Sequence, residues 1–136
     1  MARISNIRVM QVNLMPSEMA NGVLYVSARY KTAAHLCCCG CGSKIVTPLK
    51  PSGWRLSGHQ NAPTLRPSVG NWNLPCRSHY FISGGKVQWA RQWSEAEIQA
   101  GRWKDDSLRR AHFDRAPLPI RVWRRCTALL CKLKPW

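Results

Sequence analysis

Soft metal-binding side chains gather in two short stretches of this chain, and the segment that carries them holds no acid. The first stretch is His35-Leu36-Cys37-Cys38-Cys39-Gly40-Cys41-Gly42, and the second is Cys76-Arg77-Ser78-His79. From Met19 through Ser94 there is neither Asp nor Glu. A cation held by thiolates and imidazole is easy to build from such a segment, and a carboxylate-driven active site is not. Zinc takes these donors in a tetrahedron, and a structural site uses four. Cys37, Cys39 and Cys41 alternate around the flexible Gly40, and Cys76 with His79 adds a Cys-x-x-His pair. The spacing leaves two ligand sets open. Cys37, Cys39, Cys41 and Cys76 would close a four-thiolate site and free His79; exchanging one cysteine for His79 would make a three-Cys, one-His site. Either set would clamp two remote parts of one domain and help a loop-rich fold of this size.

The cysteine count also bears on the compartment. There are seven, an odd number, and four of them lie at positions 37, 38, 39 and 41. Neighbours this close pair in a disulfide only with strain. The opening residues, Met1-Ala2-Arg3-Ile4-Ser5-Asn6, lack a long apolar run. Metal-ligating thiolates in a reducing cytoplasm are therefore expected, rather than a disulfide framework. Charge bears on partners. With 21 Lys and Arg against 6 Asp and Glu, the 136-residue chain has a net charge of +15. Such a balance favours nucleic acid, acidic protein surfaces or anionic lipid.

Patterning predicts a mainly β protein (a small α+β fold): a compact β domain with a zinc-binding cysteine cluster over 1–93, then a basic helical extension over 94–136. Strands are expected at Ile7 to Leu14, Val23 to Ser27, Thr32 to Leu36 and Ser43 to Leu49. Pro48 to Pro75 is rich in Pro, Gly, Ser and Asn, with short strands possible at Trp54 to Ser57 and Thr64 to Ser68. His79 to Ser83 and Lys86 to Trp89 flank Gly84-Gly85, a hairpin signal. Ser94-Glu95-Ala96-Glu97 has the form of a capping box, predicting a helix to about Trp103 and a second over Asp106 to Phe113. Arg121 to Lys134 places Val122, Trp123, Cys126, Leu129, Leu130 and Leu133 on one helical stripe, so Cys126 and Cys131 are expected to pack rather than ligate.

A zinc hydrolase or a Ser-His-Asp triad would need an acid that the central segment lacks. What remains is a serine with a histidine oriented by a backbone carbonyl or an amide. The candidate serines are Ser78 and Ser68, the candidate bases His79 and His35, and Asn71 could orient a ring or donate to an oxyanion. On a strand Ser78 and His79 point to opposite faces, so Ser78 needs a bulge to meet His79, or else pairs with His35.

The two clusters, together with Gly53-Trp54-Arg55-Leu56, Pro63 through Trp72, Ser78 through Ile82 and Gly85 through Trp89, resemble the bacterial family catalogued as domain of unknown function 6527. The resemblance runs from about Val23 to Ala90. It implies a place in a bacterial ubiquitin-like conjugation pathway, beside relatives of activating and conjugating enzymes. It further implies a serine peptidase that processes the ubiquitin-like protein or its conjugates. By the same resemblance Ser78 and His79 carry catalysis and Cys37, Cys39, Cys41 and Cys76 hold a structural Zn2+; His35 stays a catalytic candidate from the residues alone. The family's cluster usually has Pro where this chain has Cys38, which implies that Cys38 is not a ligand. An extended Gly-rich tail would lie along a hairpin edge by strand addition. Two other readings follow from composition alone: a non-enzymatic zinc-binding module that binds nucleic acid or an acidic protein partner through its basic surface, and peripheral membrane contact through 121–136.

Overall fold

The computed structural model describes residues 2–115. The fold is mainly β: two four-stranded sheets and one C-terminal helix. The first sheet runs β1 (Arg8–Gln11), β2 (Val23–Ser27), β3 (Thr32–Leu36), β4 (Lys44–Pro48), in that order. The second runs β5 (Arg55–His59), β6 (Ala62–Gly70), β7 (His79–Ser83), β8 (Lys86–Trp89). All neighbours are antiparallel except β1 and β2. The expected strand Ile7 to Leu14 keeps only Arg8–Gln11, and at its start Ile7 donates its N–H to Gly85 O, outside the first sheet.

Side-chain chemistry explains the positions. Val23-Leu24-Tyr25-Val26-Ser27 is buried at every residue, as suits an inner strand with β-branched and aromatic members. Lys44-Ile45-Val46-Thr47-Pro48 alternates exposed and buried, as suits an edge with one covered face. Leu24, Val26, Ala33 and Ile45 from one sheet share a single core with Leu65, Val69, Tyr80 and Ile82 from the other. Burying a side chain of this kind contributes about 1.5–3 kcal/mol. The residues before β1, and β1 itself, stitch the sheets together. Ile4 N–H donates to Cys38 O, Val87 N–H to Ser5 O and Val9 N–H to Gln60 O, at 2.8, 2.9 and 2.7 Å.

The contacts divide the chain into two units, Met1–Ser94 and Glu95–Trp136. In the second, the two short helices expected from sequence are one helix, α1 (Glu95–Asp114). No proline interrupts Trp103 to Asp106, and Gly101 is tolerated inside a helix at a cost of about 1 kcal/mol. Glu95 and Glu97 lie in its first turn, where the helix dipole favours acids. The stripe expected over Arg121 to Lys134, with Cys126 and Cys131, lies outside the described residues, as does the membrane contact expected through 121–136.

Candidate active site and metal centre

An irregularity in β6 builds the first part of the site. Leu65 pairs with Ile82 and Val69 with Tyr80, so residues 66, 67 and 68 together oppose Phe81. Pro67 cannot donate a ladder hydrogen bond, and a bulge is where an inner strand tolerates it. The Arg66 guanidinium spans the gap, donating to Leu65 O, Ile82 O and Ser83 Oγ at 3.2, 3.0 and 3.2 Å. Beyond the bulge Gly70 pairs with His79. Ser68, two residues earlier, stands on the same face and diagonal to that histidine, within reach across the pair.

There the two side chains meet. His79 Nε2 and Ser68 Oγ are 3.0 Å apart, and His79 Nδ1 lies 2.8 Å from Arg91 O. A carbonyl oxygen only accepts, so Nδ1 carries the proton and Nε2 presents its lone pair to the serine hydroxyl. Ala90 N–H donates to His79 O at 2.9 Å and holds that turn of chain against the ring. The imidazole is 3 % exposed and walled by aromatic rings. The Trp72 and Trp93 centroids lie 4.9 and 5.2 Å from it and stack on each other at 5.6 Å, with Phe81 at 6.0 Å. The arrangement is a serine–histidine pair with a main-chain carbonyl as its third member, a geometry that suits a nucleophile and its base. A carbonyl fixes the tautomer and ring direction and offers a partial negative charge.

The cysteines converge on the other face of β7. The sulfurs of Cys37, Cys39, Cys41 and Cys76 all lie within 4.8 Å of one another, with 3.3 Å between Cys37 and Cys39 and 3.9 Å between Cys37 and Cys76. Sulfurs at about 2.3 Å from one tetrahedral ion would be separated by about 3.8 Å, so the group fits a four-thiolate ion. Gly40 and Gly42, at φ +88° and +76°, turn the loop after β3 so that its thiols face inward. Turns from Asn71 to Arg77 deliver Cys76. Burial raises the Cys37 thiol above its ordinary range, while the Ser43 hydroxyl draws Cys41 down to about 6. A bound cation stabilises all four as thiolates. Cys38 stands apart from this group, buried and pushed up to about 12, with its thiol against Tyr80.

The remaining sequence candidates take other partners. Ser78 Oγ is 2.8 Å from Asn71 Nδ2, 3.1 Å from Cys37 Sγ and 3.5 Å from Cys76 Sγ. His35 Nε2 is 2.8 Å from the Tyr80 hydroxyl, and its Nδ1 has no partner among the described residues. Desolvation lowers His35 to about 4, so it is neutral at ordinary pH. Ser78 and His79 do face opposite ways, one toward the thiols and the other toward Ser68. Sequence reasoning named Ser68 but not its pairing with His79, and it missed Arg91 and Trp93. The proline inside β6 was the available signal for the bulge. No side-chain pattern announces a backbone carbonyl.

Comparison with curated proteins and with solved structures gave no match. A family model described as "Bacterial ubiquitination-like system serine protease (BubE)" matches residues 11–90. That span begins earlier than the motifs quoted from the sequence and carries this description in place of the catalogue number. It takes in β2 through β8, all four clustered cysteines, and both Ser68 and His79. With more than half of its length matched, and with a serine–histidine pair inside the match, the chain belongs to the family of bacterial ubiquitination-like system serine proteases.

Proposed function

We propose that the chain is a zinc-stabilised, serine-type peptidase that cleaves a ubiquitin-like protein or its conjugates, with Ser68 as nucleophile and His79 as general base. The observation that carries this is the 3.0 Å contact from Ser68 Oγ to His79 Nε2, with Nδ1 committed to Arg91 O. Ser68 Oγ attacks the scissile carbonyl as its proton passes to Nε2. The imidazolium returns that proton to the leaving amine, giving an ester on Ser68. His79 then takes a proton from water, which attacks the ester and releases the substrate's carboxylate and free Ser68. The Arg91 carbonyl faces the Nδ1–H throughout and stabilises the positive ring.

The edge of β6 supports an extended substrate. β5 pairs with β6 only from Ala62 to Arg66. Asn71 N–H donates to Ser78 O, so by alternation the main-chain groups of Gly70, two residues beyond Ser68, face away from β7. A narrow Gly-rich tail added there would bring its backbone beside the nucleophile. Zinc is the cation favoured by four sulfurs without oxygen donors, and a closed four-thiolate set makes its role the clamping of the β3 loop to the stretch before β7. A reducing cytoplasm keeps such thiols free. No described helix is long and apolar enough to cross a membrane.

The test is cleavage of a ubiquitin-like precursor with a C-terminal extension. Ser68→Ala should lower kcat by about 10⁴-fold or more, as loss of a nucleophile does elsewhere, with the thermal midpoint unchanged. A fluorophosphonate should label Ser68. Full cleavage by Ser68→Ala, or labelling at Ser78, would refute the assignment.

A further inference from the structure

We propose that Ser78 and Asn71 are positioning residues of the thiolate centre, hydrogen-bonding Cys37 and so fixing the cluster for a soft divalent cation. The hydroxyl of Ser78 is 4 % exposed and has one proton to give. Its nearest sulfur is Cys37 at 3.1 Å, with Cys76 farther at 3.5 Å. A metal-bound thiolate has no proton, so this contact takes the form Ser78 Oγ–H donating to Cys37 Sγ. Asn71 completes the arrangement. Its Nδ2 donates to Ser78 Oγ at 2.8 Å and lies 3.5 Å from Cys37 Sγ on the same side. The thiolate most completely removed from water, Cys37, is thereby the one that receives neutral donors in place of water.

This commits Ser78 away from nucleophilic work. A serine nucleophile needs a base that takes its proton and hands it on, and Ser78 instead faces acceptors whose electron pairs belong to a cation. The same residues link the cluster to the dyad, a part of the inference that rests on the proposed function. Asn71 N–H donates to Ser78 O at 2.9 Å. Its neighbours are Gly70, paired with His79, and Trp72, stacked beside the imidazole.

The experiment loads full-length protein with Co2+ and with Zn2+ in the absence of substrate. It measures the thiolate-to-cobalt charge-transfer band and the zinc affinity against a chromophoric chelator. Ser78→Ala should weaken zinc binding about 10- to 100-fold, the usual cost of losing an outer partner of a ligand, and should move the band to lower energy because the sulfur lone pair is no longer stabilised. Asn71→Ala should shift both readouts the same way, and Ser78→Thr, which keeps the hydroxyl, should restore them. Near-ultraviolet circular dichroism of the tryptophans checks that each variant is folded. Wild-type affinity and an unmoved band in both alanine variants would overturn the proposal. Neither readout involves cleavage, so a failure here is separate from a failure of Ser68 as nucleophile.

Discussion

Gly70 shows how a single residue sets the geometry of the base. A Cβ on this glycine would stand 2.5 Å from Trp72 Nε1 and 2.8 Å from Cε2, closer than carbon atoms tolerate. Trp72 therefore lies flat where a side chain would be, and from there it contacts His79 and stacks on Trp93. Gly70→Ala should push the indole outward. The expected result is a destabilisation of about 1–3 kcal/mol by overpacking, read from urea unfolding. It should be accompanied by a fall in kcat larger than any rise in KM, since the imidazole loses a wall while the β6 edge keeps its main-chain groups. A variant with wild-type stability and turnover would show that Trp72 moves aside freely and does not hold the ring. Such a role was not visible beforehand. The sequence shows a glycine beside Asn71-Trp72, and only the fold shows that the glycine makes room for that tryptophan.

The β7–β8 hairpin shows which elements the sequence reveals and which it hides. Gly84 and Gly85 have φ of +56° and +76°, the backbone a two-residue turn requires when it follows the twist of its strands. The two glycines are not equivalent. A Cβ at Gly84 meets nothing within 4 Å, whereas one at Gly85 would approach Asn61 O at 2.7 Å. Gly85 also donates to Pro63 O and accepts from Ile7, joining three segments. Gly84→Ala should cost about 1–2 kcal/mol for its left-handed backbone alone. Gly85→Ala should cost a further 1–3 kcal/mol or so for the collision, seen as a lower urea midpoint. Equal losses would mean that the Asn61 carbonyl yields without cost. This hairpin, β2 and β3 could be read residue by residue because alternation and turn chemistry are local. The β6 bulge and the parallel pairing of β1 with β2 could not, because both depend on which distant strand lies alongside. The two short helices predicted by the pattern are one helix in the fold, because nothing between Trp103 and Asp106 breaks it.

At the scale of the molecule, the sheets are joined by a shared core and by the segment before β1, and cysteines from the loop after β3 and the stretch before β7 meet beside them. The two cysteine stretches were legible as one centre because thiols in a Gly-rich turn have few other uses. The dyad was only half legible, because its orienting group is a carbonyl and one of its walls lies beyond the family match. That match ends at residue 90. The site continues to Arg91, whose carbonyl accepts the hydrogen bond from Nδ1–H, and to Trp93, whose ring packs edge-on against the imidazole. Every residue assigned to the dyad or the thiol cluster lies between Cys37 and Trp93, ahead of α1. A chain ending after Ser94 should therefore keep cleavage within about 10-fold of the full protein. One ending after Ala90 should lose about 10²-fold or more in kcat, since a base deprived of its orienting partner is left free to turn or change tautomer. Bound zinc should remain stoichiometric in both, because neither cut removes a cysteine of the cluster, so elemental analysis separates a lost orienting group from a collapsed fold. If the chain ending at Ala90 cleaved as fast as the one ending at Ser94, the Arg91 carbonyl would not be the third member of the catalytic set.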